Sequence, residues 1–222
     1  MGVELQLEAA DGHTFAAYRA EATGTPRGAI VVVQEIFGVN SHIKRVTDGF
    51  AADGYLAIAP AMFDRIERGV DLGYTPGAIA KGRELKVQIT SEMMTRDVEA
   101  AIGAVATAGK VGIVGYCWGG FVTWMCSAHV NGLACAVPYY GGGILENIDI
   151  KPRVPVMLHF GEHDTMLPVT KVRELAAKHP PAQVHIYDAD HGFNCDERGS
   201  YDAAASKLAR ERTLAFFRQH VG

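Results

Sequence analysis

Hydrophobic and polar positions alternate only near the start of the chain. Residues 3–7 and 14–19 read as two short strands, and Asp11-Gly12 between them suits the positive φ angles of a tight hairpin turn. From residue 29 onward the pattern becomes short apolar runs separated by helix-length segments. Continuous β-branched runs mark buried strands at residues 29–33, 55–59, 111–114, 133–138, 154–160 and 183–188. Between them, residues 40–52 open on Asn40-Ser41 as candidate caps and end before Gly54. Residues 90–108 place Met94, Val98, Ile102 and Val105 on one helical face and stop at Gly109. Residues 121–129, 168–179 and 201–219 supply further helices. This alternation predicts an α/β fold: a mainly parallel sheet with helices on both faces, and the hairpin as an antiparallel addition at one edge. Function in such sheets belongs at the carboxyl ends of the strands. Residues 61–87, a long polar connection, are a candidate lid over that edge.

Composition then narrows the classes. At 222 residues the chain fits one domain, 1–222. Its 21 Lys+Arg against 25 Asp+Glu give a formal net charge of −4, which excludes a strongly basic nucleic-acid binder. Glu4 and Glu8 stand where a secretory signal needs basic and apolar residues, and the longest apolar run, residues 29–33, is far short of the roughly 20 that span a bilayer. No membrane association is expected, and the four cysteines, Cys117, Cys126, Cys135 and Cys195, fit a reducing cytoplasmic compartment. Without heptads or a long apolar edge, a monomer is expected. The 25 glycines exceed the average share of roughly 7%, so some positions demand close backbone approach.

The most specific local signal is Gly115-Tyr116-Cys117-Trp118-Gly119-Gly120, directly after one predicted strand and before an apolar helix. That is a nucleophile elbow with cysteine in the serine position. The sharp turn requires small neighbours, and the following helix N-terminus favours an anion at Cys117. A thiol nucleophile needs a base, and the base an orienting acid. The strand at 154–160 runs into a loop carrying Asp164, and the strand at 183–188 into one carrying His191. Nucleophile, acid, histidine is the chain order of α/β-hydrolases. Each residue alone has a blander reading, as a buried thiol, a helix cap or a loop histidine; their order weakens all three. Glu162, Asp188 and Asp190 stay open as rivals for the acid.

These residues resemble the dienelactone hydrolase, or carboxymethylenebutenolidase, family of the α/β-hydrolase superfamily. The likeness runs over nearly the whole chain. It rests on Gln34-Glu35-Ile36-Phe37-Gly38, the elbow, Tyr139-Tyr140-Gly141, Gly161 with Asp164 and Pro168, and residues 189–193 around the histidine. The resemblance implies an α/β-hydrolase fold with Cys117 as nucleophile, His191 as base, Asp164 as orienting acid, and Glu35 as an extra carboxylate beside the resting thiol. It also implies an oxyanion hole from the backbone N–H groups of Ile36 and Trp118. The implied activity is hydrolysis of a small-molecule ester or enol-lactone through a thioester, with neither cofactor nor metal. Family members hold a substrate carboxylate with arginines, one of them four residues beyond the histidine. Cys195 stands there instead. Arg198 and Arg83, the latter with Lys81 and Lys86 as neighbours, are the candidates to replace that function, though each also reads as a solvated charge. A reversible Cys117–Cys195 disulfide is a further possibility.

Three rival readings carry less. A metal hydrolase would use His159, His163, His185 or His191, yet no H-E-x-x-H or paired C-x-x-C spacing occurs. The glycines around residue 115 do not form the G-x-G-x-x-G of a dinucleotide site. A non-catalytic ligand binder or thiol redox sensor on the same fold is the alternative from another class.

Overall fold

The structure is a computed structural model that describes residues 2–222. Its first hairpin pairs β1 (Val3–Glu8) with β2 (Thr14–Ala20), from Val3 opposite Arg19 to Glu8 opposite Thr14. The buried runs become β3 (Ala29–Val33), β4 (Leu56–Pro60), β5 (Val111–Tyr116), β6 (Leu133–Tyr139), β7 (Met157–Gly161) and β8 (Gln183–Tyr187). All eight form one sheet in the order β1-β2-β4-β3-β5-β6-β7-β8. β2 is antiparallel to both β1 and β4, so it alone runs against the others. This is the expected α/β sheet with its edge hairpin.

Every residue of β3 and β5 is buried, which explains their unbroken apolar sequence. Each such Val or Ile side chain contributes about 1.5–3 kcal/mol by leaving water. Two helical layers cover the sheet. α1 (Ser41–Ala52) and α6 (Ala203–His220) meet through Phe50 and Phe217, whose ring centroids lie 5.7 Å apart. α3 (Ser91–Val105) packs beside α4 (Trp118–His129), and α5 (Val169–Lys178) links β7 to β8. Asn40 caps α1 by accepting from the Ile43 N–H at 3.2 Å, and Thr90 caps α3 by accepting from Met93 at 3.3 Å. Among the described residues no helix is long and apolar enough to cross a membrane.

β7 begins three residues later than the apolar run. Pro152 and Pro155 interrupt the ladder there, leaving only an isolated bridge between Ala136 and Val156.

Residues 61–87 are not a bare loop. They contain α2 (Pro76–Lys86), capped by Thr75 with Pro76 in the first turn. Gly77, Gly82 and the charges at 81, 83, 84 and 86 hide its helical period. Gly82 explains where it sits: a Cβ there would come 2.0 Å from the Ile36 carbonyl oxygen, so backbone meets backbone. Gly82→Ala is therefore expected to destabilise the protein by about 1–3 kcal/mol in urea denaturation, because the clash outweighs the helix-propensity gain of about 1 kcal/mol. Equal or greater stability in the variant would contradict that packing.

Strand register brings the functional loops to one rim. Val33 lies beside Gly115, Tyr116 beside Tyr139, and Gly161 beside Tyr187. The strand order reverses at β3, whose neighbours are β4 on one side and β5 on the other. Such a switch in strand order is where ligands bind in open α/β sheets.

Candidate active site

β5 ends at Tyr116 and α4 begins at Trp118, so Cys117 alone turns the chain, at φ 54° and ψ −116°. A non-glycine residue in that region is strained, and the surroundings must hold it. Its N–H donates to the Tyr139 carbonyl at 3.1 Å, while its own carbonyl accepts from Gly120 at 3.0 Å and Phe121 at 3.3 Å. Gly119 sets the helix directly on the end of β3. A Cβ there would lie 2.4 Å from the Gln34 carbonyl oxygen and 2.5 Å from that of Val33. α4 thus starts three residues before the apolar run at 121, and the two glycines that look like helix breakers are what let it approach. Among the described residues, none of the backbone hydrogen bonds outside helices and strands uses the N–H of Ile36 or Trp118 as donor.

Three loops then bring Cys117, His191 and Asp164 together. His191 Nε2 is 3.2 Å from Cys117 Sγ, and Nδ1 is 2.6 Å from Asp164 Oδ2. Asp164 is buried, and its other oxygen accepts from the Met166 N–H at 2.9 Å. An acceptor on Nδ1 fixes the proton there and aims Nε2 at the sulfur. Burial works against charge on His191, but the Cys117 and Asp164 charges outweigh it and raise its pKa to about 10. Tyr140 packs edge-on against this ring with centroids 5.1 Å apart, itself held at φ 34° with its N–H on the His159 carbonyl at 2.7 Å. No sequence motif assigns Tyr140 a role; its positive φ beside the site is a property of the fold.

Glu35 follows β3 and is buried at 1% exposure, and among the described residues no hydrogen bond joins it to the Cys117 thiol, beside which the resemblance placed it. Its Oε1 accepts from Arg198 Nη1 at 3.2 Å, and Cys117 faces His191 instead. The reason is charge: a buried carboxylate is stabilised by a guanidinium and is not stabilised by a sulfur that is itself paired with an imidazole. Arg198 lies over the Phe37 ring at 5.8 Å, and the charges of Glu35 and Cys117 outweigh its burial and raise its pKa. Arg198 therefore lies beside Glu35 and within electrostatic range of Cys117. Arg83 stays exposed on α2 and forms no ion pair among the described residues.

The rival acids lie elsewhere. Asp188 pairs with the exposed His163, and Glu162 and Asp190 are exposed. The other candidate histidines do not converge on a metal: His159 is buried between Tyr187 and Thr213, at 2.8 and 3.1 Å, and His185 stacks on it. All four cysteines are free thiols. Burial pushes Cys135 up to about 12 and raises Cys126 as well, as expected of structural thiols.

A strand-turn-helix elbow, with a histidine and an acid delivered by later strand ends, defines the α/β-hydrolase class. The dienelactone hydrolase family model matches residues 15–221. A carboxymethylenebutenolidase of Pseudomonas putida is 31% identical over 229 residues, covering 96% of this chain and 94% of its own length. A Synechocystis sp. protein, provisionally named carboxymethylenebutenolidase, is 35% identical over 228 residues, covering 93% and 92%. A Klebsiella pneumoniae crystal structure, provisionally named as a dienelactone hydrolase, superposes with a TM-score of 0.87 at 29% identity, covering 99% of this chain and all of that one. The chain belongs to the dienelactone hydrolase family and is an ester or lactone hydrolase.

Proposed function

We propose that the enzyme cleaves activated small-molecule esters and enol-lactones through a thioester on Cys117. What supports this reading most is the continuous line from Asp164 through His191 to the Cys117 sulfur, with contacts of 2.6 and 3.2 Å, mounted on a strained elbow. The thiolate attacks the carbonyl carbon. The oxyanion is received by the N–H groups of Ile36 and Trp118. As the C–O bond breaks, the leaving oxygen takes the proton from His191 Nε2.

Acylation removes the sulfur charge, and with it the first of the two influences that hold His191 protonated. The imidazole is then free to act as base. It takes a proton from water as water adds to the thioester, and the departing thiolate restores the original ion pair. Thiolate is a better leaving group than an ordinary alkoxide, so a tetrahedral adduct of a simple alkyl ester collapses backwards. Enolates and aryloxides leave readily, which is why enol-lactones and activated esters fit better than triglycerides or peptides.

For a substrate carboxylate, Arg198 is the better anchor, because it is already engaged with a carboxylate inside the site, whereas Arg83 is exposed. The reading keeps the chain a monomer in a reducing cytoplasmic compartment, which its four free thiols suit. A hydrolysis screen of enol-lactones and aryl esters, with and without a carboxylate, tests the substrate class. Arg198→Ala is expected to raise KM about 10–100-fold for the carboxylate-bearing members and leave the neutral ones within about twofold, the loss of one charge-assisted contact. Arg83→Ala is expected to change neither group. No turnover of any activated ester, or an equal loss on neutral substrates, would overturn the assignment.

A further inference from the structure

A second set of reactive side chains lies outside the Cys117–His191–Asp164 line. One ligand atom each from Glu35, His42 and Cys195 lies within 4.8 Å of the others, and all three residues are buried. They come from the loop after β3, the first turn of α1 and the loop after β8. Two polar atoms of these residues are left without a partner. Glu35 Oε2 and His42 Nε2 are buried polar atoms without a hydrogen-bond partner among the described residues. Leaving either so costs about 1–3 kcal/mol, and more for a charge.

Their other atoms are held from outside. His42 Nδ1 lies 3.1 Å from Asp196 Oδ1, and Glu35 Oε1 takes the Arg198 guanidinium at 3.2 Å. A carboxylate on one ring nitrogen fixes the tautomer and leaves the opposite lone pair bare, which is the usual support of a metal-binding histidine. The thiol of Cys195 is fully buried in the same group, with the Tyr74 hydroxyl and the Glu197 backbone N–H beside it.

From this geometry we infer that Glu35 Oε2, His42 Nε2 and Cys195 Sγ form a buried site for one borderline-soft divalent cation of the zinc type. A thiolate, an imidazole and a carboxylate suit zinc over calcium or magnesium, which take oxygen donors. Binding releases the Cys195 proton to solvent, so thiolate and carboxylate together neutralise the ion. Zinc held at about 2.0–2.3 Å places tetrahedral donors about 3.3–3.8 Å apart, so the cluster closes by about 1 Å around it. A fourth position is open to water. Tyr140, whose buried hydroxyl also lacks a partner, lies within electrostatic range of Glu35 and Cys195. An ion can enter from a surface cavity of about 230 Å³ that His42, Asn194 and Asp196 help to line. The site stands whether or not Cys117 is the nucleophile.

Chelator-stripped protein titrated with Co²⁺ tests it by optical spectroscopy, with zinc as competitor. One equivalent is expected to produce a near-ultraviolet thiolate-to-cobalt band and visible tetrahedral bands, which zinc abolishes. Cys195→Ala, Cys195→Ser and His42→Gln are expected to lose the charge-transfer band or weaken binding at least about tenfold. Cooperative melting of each metal-free variant confirms that it is folded. Cys117→Ala is expected to keep the bands. Full bands in both Cys195 variants, loss of the bands in Cys117→Ala, or no cobalt band and no zinc-binding heat in wild type would each overturn the site.

Discussion

Cys117→Ala is expected to lower kcat/KM on an activated ester by about 10⁴-fold or more, because the covalent route disappears and only the oxyanion donors and substrate binding remain. The fold should survive. Cys117 is small and sits on a backbone held by hydrogen bonds from its own N–H and carbonyl, which alanine retains. Alanine at φ 54° is no more strained than cysteine, so the variant should still melt cooperatively while activity collapses. Cys117→Ser is expected to be weak, since a hydroxyl is harder to deprotonate than a thiol. Near-wild-type turnover by the alanine variant would remove the cysteine from the chemistry.

Asp164→Asn should cost about 10²–10⁴-fold in kcat with a smaller change in KM, because an amide at this position lets the imidazole present the wrong tautomer to sulfur. The variant also has a pH signature. The folded-state pKa of His191 is raised to about 10 by Cys117 and Asp164 against burial. The stability this provides is fully present below the unfolded value of about 6.5 and is lost as pH rises through about 10. Acylation needs the same proton, so kcat/KM for wild type is expected to fall near pH 10. In Asp164→Asn one of the raising charges is gone, and that alkaline limb should move to lower pH. An unmoved limb would show that the acid does not act on His191.

The elbow and the order of the three residues were legible because each is local: a glycine-flanked cysteine after a β-branched run, then an Asp and a His just beyond later runs. The sheet was legible for the same reason, since β3 and β5 are buried on both faces and their composition says so. What stayed hidden depends on contacts between distant segments. α2 escaped because Gly82, placed to let the helix backbone touch Ile36, removes the apolar residue that would have shown its period. Glu35 stands out in the sequence, but its contact does not: Arg198 lies 163 residues away, and nothing in the sequence couples them. The Glu35, His42 and Cys195 cluster has no motif of its own, because a loop, a helix turn and a second loop far along the chain supply it. Tyr140 stood within a recognised run, but its backbone strain beside His191 is a property of the fold.

The proposed thioester on Cys117 is open to direct observation. Acid-quenching the wild-type enzyme during turnover of a p-nitrophenyl ester, followed by intact-mass and peptide mass spectrometry, should reveal one added acyl group on the peptide containing Cys117. Neutral hydroxylamine should remove it, and Cys117→Ala should never acquire it. An acyl group on any other residue, or steady turnover by Cys117→Ala, would contradict the mechanism.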